Sequence, residues 1–216
     1  MRIVVEHLTK AYRAQCVLND ISCSFQSGQI HGIVGRNGSG KTVLLRCLCG
    51  YAKLTSGKIW IGEKLLGTDI FFPPFLGLLL DTPMFLPQFS GYDNLMLLMN
   101  IHKREYDEKK ALIQEALQHV ALSEHQNIKV ANYSLGMRQR LGIAQAIMEK
   151  PKLLILDEPF NGLDRDGVKK ISALFKKMRS SGVTVLLTSH YPSDLENLCD
   201  TITCLDGGQI LQQTEQ

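Results

Sequence analysis

A chain of 216 residues that is 44 % hydrophobic is long enough for one large α/β domain with a sizeable core. Its 24 basic and 21 acidic residues leave a net charge of +3, too mild and too scattered to argue for a nucleic-acid partner. The longest apolar run, Phe71 to Leu80, is broken by Pro73-Pro74 and falls short of the roughly 20 residues of a membrane helix, so the chain is not expected to form a channel itself.

In chain order, Ile3-Val4-Val5, Ile21 to Phe25 and Ile30 to Val34 read as short strands. The last leads into Gly35-Arg36-Asn37-Gly38-Ser39-Gly40-Lys41-Thr42, which fits the G-x-x-x-x-G-K-[ST] phosphate-binding loop. Glycines let the backbone N–H groups turn inward around a triphosphate, Lys41 adds a point charge for the outer phosphates, and Thr42 offers a hydroxyl to Mg²⁺. Val43 to Leu48 continues as a helix whose positive N-terminal end faces the phosphates. Lys58 to Ile61 and Leu76 to Leu80 read as further strands.

A mostly helical block spans roughly 85–150, with helices expected over Asp93 to Ile101 and Asp107 to Val120. Its apolar residues Met84 to Leu86 and Leu95 to Met99 are expected mainly in the core, the second reading being a groove for a partner's helix. Lys152 to Leu156 and Val183 to Leu187 are continuous apolar strands of the kind buried on both faces of a parallel sheet, with a crossover helix from Asp164 to Arg179 between them. Asp206-Gly207-Gly208 predicts a hairpin turn between Thr201 to Leu205 and Gln209 to Gln213.

Asp157-Glu158 closes the first apolar strand, placing two carboxylates on the sheet edge where open α/β sheets bind ligands. Asp157 suits Mg²⁺, and Glu158 suits accepting a proton from a water that attacks the γ-phosphate. The six cysteines form no C-x-x-C pair, so reduced thiols are expected, with Cys47 and Cys49 as packing residues. Met1 to Glu6 lacks the longer apolar segment of a signal peptide.

Taken with further motifs in order, these residues resemble the ATP-binding subunit of an ABC transporter over nearly the whole chain. Tyr133-Ser134-Leu135-Gly136-Met137-Arg138-Gln139-Arg140 resembles the signature that begins a helix, through Ser134 and Gly136. Asn161-Gly162-Leu163-Asp164 resembles the D-loop, His190 the switch histidine, and Tyr12 the aromatic residue that stacks on adenine. The resemblance implies a P-loop NTPase fold: a RecA-like, mostly parallel core sheet, an N-terminal antiparallel β subdomain and a helical insertion, in one domain over 1–216. It implies ATP hydrolysis with Mg²⁺ in a head-to-tail homodimer or heterodimer. The phosphate loop of one subunit would face Ser134 and Gly136 of the other, with Asp164 positioning the opposite subunit and His190 holding the γ-phosphate or attacking water. It further implies a separately encoded integral membrane permease, with this chain on the cytoplasmic side.

Two departures narrow the resemblance. The signature has Tyr133, Leu135 and Met137 where the family has leucine, glycine and glutamine. Asp81, in Asp81-Thr82-Pro83, stands where the family has a glutamine that contacts Mg²⁺ and the membrane partner, and Gln88 is too far downstream to replace it. Both features are similar to ATPases of bacitracin and lantibiotic exporters and their ABC-2-type relatives, many of which continue past this chain's last hairpin. An exporter of an antimicrobial peptide, drug or lipid-like substrate is the expectation. The alternative is a soluble ABC-type ATPase, such as one for metal-cluster assembly, which the chain resembles less at Asp81 and Met137.

Overall fold

Two sheets divide the strands, one antiparallel and one mostly parallel. The computed structural model describes residues 1–13, 15–81, 84–101 and 103–215. Thr82 and Pro83, joined to Asp81 in the sequence reading, lie outside them. The first sheet is antiparallel, in the order β2 (Gln15–Phe25), β1 (Ile3–Tyr12), β4 (Ser56–Ile61), β5 (Lys64–Leu65). Its strands outrun the short apolar runs that announce them. Asn19-Asp20 has turn chemistry, yet Asp20 (φ 53°) lies within β2 opposite a shift in register and its carboxylate meets His7 Nδ1 at 2.8 Å, with His7 at φ 49°. The irregularity bends the pair without ending it.

The second sheet runs β10 (Gln209–Glu215), β9 (Thr201–Asp206), β3 (Ile30–Val34), β8 (Thr184–Ser189), β7 (Leu153–Leu156), β6 (Leu76–Leu79). All its pairings are parallel except that of β9 with β10. Gly207 (φ 53°) and Gly208 (φ 77°) supply the two left-handed positions of that hairpin's turn. Every residue of β3, β7 and β8 is buried, including the polar His31 of β3 and Thr184, Thr188 and Ser189 of β8. Successive side chains enter two cores. Leu154, Leu156, Val185 and Leu187 pack with the helices α2 (Gly91–Met99), α3 (Tyr106–His119), α4 (Leu135–Ile147) and α5 (Arg165–Ser180). Leu153, Ile155 and Leu186 pack with α1 (Lys41–Leu48) and the antiparallel sheet.

Cys47 and Cys49 lie in this second core, and burial pushes the Cys47 thiol up to about 12, so both serve as packing groups. The apolar residues of the helical block divide. Leu95 and Met99 are fully buried, whereas Met84, Leu86 and Leu97 reach the surface.

His31 is fully buried on β3, with Nε2 against the Gln26 carbonyl at 2.8 Å and Nδ1 against Thr201 Oγ1 at 2.7 Å. A neutral ring donating from Nε2 and accepting at Nδ1 satisfies both contacts. Burial lowers its pKa below the ordinary value, against the opposing pull of the Gln26 carbonyl and Asp200. The unfolded chain then binds the proton more readily, so His31 lowers stability as pH falls through about 6.5, the ordinary histidine value. The stability advantage of the unmodified chain over His31→Gln is expected to shrink between pH 7.5 and 5.5 in urea titrations. An advantage constant with pH would refute this.

Candidate nucleotide-binding site

The parallel order of β3, β8 and β7 brings three segments distant in sequence to one edge of the sheet. From β3 the chain enters the phosphate loop and then α1, whose N-cap, Gly40, adopts φ 106°. That left-handed backbone favours glycine, and a Cβ there would also crowd the Val17 carbonyl oxygen of β2 at 3.2 Å. No side chain caps α1, so its first N–H groups are left for an anion. Ser39 Oγ is buried without a hydrogen-bond partner, and Arg36, Asn37 and Gly38 are exposed along the rim beside Gly35. The uncapped helix and the orphaned hydroxyl fit the phosphates of a nucleotide.

Lys41 is only 6 % exposed. Its Nζ donates to the carbonyls of Gly35 at 2.7 Å and Arg36 at 3.3 Å, and lies 3.4 Å from Glu158 Oε1. Thr42 Oγ1 donates to one oxygen of Asp157, and Thr188 Oγ1 donates to the other, both at 2.5 Å. The Thr42 hydroxyl and Asp157 carboxylate are the hard oxygen donors that suit Mg²⁺ shared with substrate phosphates. Among the described residues no group of three or more His, Cys, Asp or Glu forms a metal cluster of its own. Glu158 Oε2 meets His190 Nδ1, just past β8, at 2.9 Å. A carboxylate, an imidazole and an ammonium group thus converge beside the phosphate loop.

The remaining sequence-predicted residues make contacts of their own outside the Lys41, Glu158 and His190 cluster. Tyr12 ends β1, 45 % exposed, with Lys10 Nζ 4.3 Å from its ring centroid. Ser134 is exposed and N-caps α4, accepting from the Met137 N–H at 3.2 Å. Gly136 packs so tightly on the next loop that a Cβ would lie 2.6 Å from the Gly162 carbonyl oxygen. Asp164 N-caps α5, accepting from the Gly167 N–H at 2.9 Å and from Arg140 at 3.2 Å. Asp81 (φ 58°) is drawn to Arg46, one turn beyond Thr42 on α1, at 2.5 Å. That carboxylate holds the Arg46 pKa above its ordinary value.

Sequence reasoning assigned no role to Arg46, Gln139, Arg140 or Thr188. Thr188 had a usable signal, since it sits two residues before His190 on a strand that ends at the site. Gln139 and Arg140 stand within the signature-like segment, whose match was carried by Ser134 and Gly136, and Arg46 shows no local pattern that separates it from an ordinary polar helix residue.

Comparison with known proteins accords with this geometry. The family model for ABC transporters matches residues 18–161. The ABC transporter ATP-binding protein YybJ of Bacillus subtilis (strain 168) is 40 % identical over 96 % of this chain and 94 % of its own. The bacitracin transport ATP-binding protein BcrA of Enterococcus faecalis is 36 % identical over 98 % of this chain and 68 % of its own, in line with the resemblance read from Asp81 and the signature. The fold superimposes on the ATP-binding cassette MJ0796, solved as a dimer in a post-hydrolysis state bound to ADP and Pi. The TM-score is 0.89 at 23 % identity, over 99 % of this chain and 98 % of that one. With the P-loop NTPase architecture, the phosphate loop and this kinship in hand, the chain belongs to the ABC transporter family of ATP-binding ATPases.

Proposed function

We propose that this ATPase powers a separately encoded membrane permease, exporting an antimicrobial peptide, drug or lipid-like substrate from the cytoplasmic face. The convergence of Lys41, Glu158 and His190 beside the uncapped α1 carries the chemical part of the reading. Gly35 to Thr42 wrap the phosphates through backbone N–H groups and Lys41, while Tyr12 stacks on adenine. Thr42 and Asp157 would hold Mg²⁺, which would supply neutralisation of the charge that develops on the phosphates. Glu158 accepts the proton of the attacking water, and His190 orients that water or the γ-phosphate. Asp81 is the candidate for a further Mg²⁺ contact once it leaves Arg46.

In this reading Ser134 and Gly136, at the exposed start of α4, close the site of a second ATP-binding subunit, and Asp164 positions that subunit. ATP then holds the two halves together, and its hydrolysis releases them. The dimeric state of MJ0796 supports such an assembly. An apolar cleft of about 430 Å³, lined by Leu80, Asp81, Met84, Leu86, Leu97 and Leu98, supports docking of a permease segment. BcrA supports the lean toward peptide antibiotics. Among the described residues no helix is long and apolar enough to cross a membrane, so the translocation path is assigned to the permease.

Light scattering on the unmodified chain with a slowly hydrolysed ATP analogue and Mg²⁺ tests the assembly. The mass is expected to double on adding the analogue and to return to that of a monomer with ADP. A monomer under both conditions would overturn the homodimer reading.

A further inference from the structure

Gln139 is a polar residue in the second turn of α4, yet it is only 8 % exposed. Its Nε2 donates to the carbonyl of Glu158 at 3.1 Å. The same carbonyl accepts from the Asn161 N–H at 3.2 Å, while the Glu158 N–H donates to Thr188 Oγ1 at 2.8 Å. These bonds matter because Glu158 has φ 47°, a left-handed conformation uncommon for a residue with a long side chain. Such a conformation persists where the surroundings over-determine it. Here two side chains from different elements grip the two polar groups of one residue's backbone.

The same stretch of α4 is tied to the following loop at two further points. Gly136 lies against the Gly162 carbonyl with no room for a Cβ, and Arg140 Nη2 reaches Asp164 Oδ1 at 3.2 Å. Gln139 is the member of this set that touches Glu158 itself. Without its amide, the Glu158 carbonyl keeps only the local bond from Asn161 among the described residues, and the backbone is freer to relax toward negative φ. Relaxation would swing the carboxylate away from Lys41 and His190.

We infer that Gln139 is a positioning residue: its carboxamide fixes the Glu158 peptide in the left-handed conformation that aims the carboxylate at Lys41 and His190. It thereby bonds the helix that begins at Ser134 to the base of its own subunit. The inference rests on the reading of Glu158 as the base, and it adds a link between α4 and that base. A shift of α4 when Ser134 engages a second subunit would pass directly to the Glu158 backbone.

The test compares Gln139→Met, similar in length but without a donor, with Gln139→Glu, nearly isosteric and able only to accept when ionised. Each is made in the unmodified chain and in the Glu158→Gln background. The readouts are kcat, KM for Mg·ATP, affinity for a fluorescent ATP analogue and Tm. Both substitutions are expected to lower kcat about tenfold in the unmodified chain, with KM and affinity within about twofold. Neither is expected to lower the residual rate of Glu158→Gln further, because a group acting through Glu158 has nothing left to position. Unchanged kcat in both variants would overturn the inference. So would parallel losses in kcat, ATP affinity and Tm in both backgrounds, which mark a packing defect. Should Gln139→Met fail to fold, Gln139→Glu gives the same decision. Near-normal turnover by Glu158→Gln alone would remove the base assignment and this inference with it, whereas an inactive Glu158→Gln beside a fully active Gln139→Glu would remove this inference only.

Discussion

Glu158→Gln is expected to lower kcat by about 10²- to 10⁴-fold, the span that loss of a general base produces, while ATP affinity changes by no more than a few-fold. The amide has nearly the volume of the carboxylate, and the Glu158 backbone bonds to Thr188 and Gln139 do not involve the side chain. What disappears is the capacity to take a proton and the negative charge beside Lys41 and His190. Removing that charge leaves Lys41 freer to face phosphate, so nucleotide is expected to stay bound and an ATP-bound dimer to accumulate. Steady-state hydrolysis with light scattering in Mg·ATP checks both halves. Turnover within about threefold of the unmodified chain would exclude Glu158 as the base, since so small a change corresponds to only about 0.6 kcal/mol of barrier.

Lys41→Ala acts on binding. The ammonium group is nearly buried and held by the Gly35 and Arg36 carbonyls, which fix it along the inside of the loop. Substitution removes the fixed positive charge facing the outer phosphates and leaves those carbonyls as bare negative dipoles. Charge-assisted hydrogen bonds contribute about 1.5–3 kcal/mol each, so ATP affinity is expected to fall at least about 100-fold, equivalent to about 2.7 kcal/mol. ADP is expected to lose less, because the lysine serves chiefly the outer phosphates. Calorimetric titration with both nucleotides, alongside a Tm measurement to establish folding, checks this. Equal losses for ATP and ADP would assign Lys41 to loop structure, and an unchanged ATP affinity would remove it from the site.

Much of the site was legible because its chemistry is written in contiguous segments. The phosphate loop needs glycines, lysine and threonine at fixed spacing after a strand, and the Asp157-Glu158 pair needs only an apolar strand to present it. Buried parallel strands likewise declare themselves through apolar runs, unbroken in β7 and central to β8 at Val185 to Leu187. The antiparallel sheet was less legible. The full lengths of β1 and β2 depend on cross-strand pairing that carries them through His7 and Asp20, two positions with unfavourable local conformations.

Sequence alone determined the architecture and, through the resemblance its short motifs carry in order, the family, and it proposed the residues offered to a nucleotide. Only the tertiary structure decided which side chains hold those residues in place. Thr42 and Thr188 meet the same carboxylate across 115 and 31 positions of chain, Gln139 finds the Glu158 carbonyl 19 positions away, and Arg46 claims Asp81 from 35. Such contacts are set by the order of strands in the sheet and by the seating of α1 and α4 against its edge. A side chain's local sequence fixes its chemistry, but the partner that it meets is fixed by the path of the whole chain.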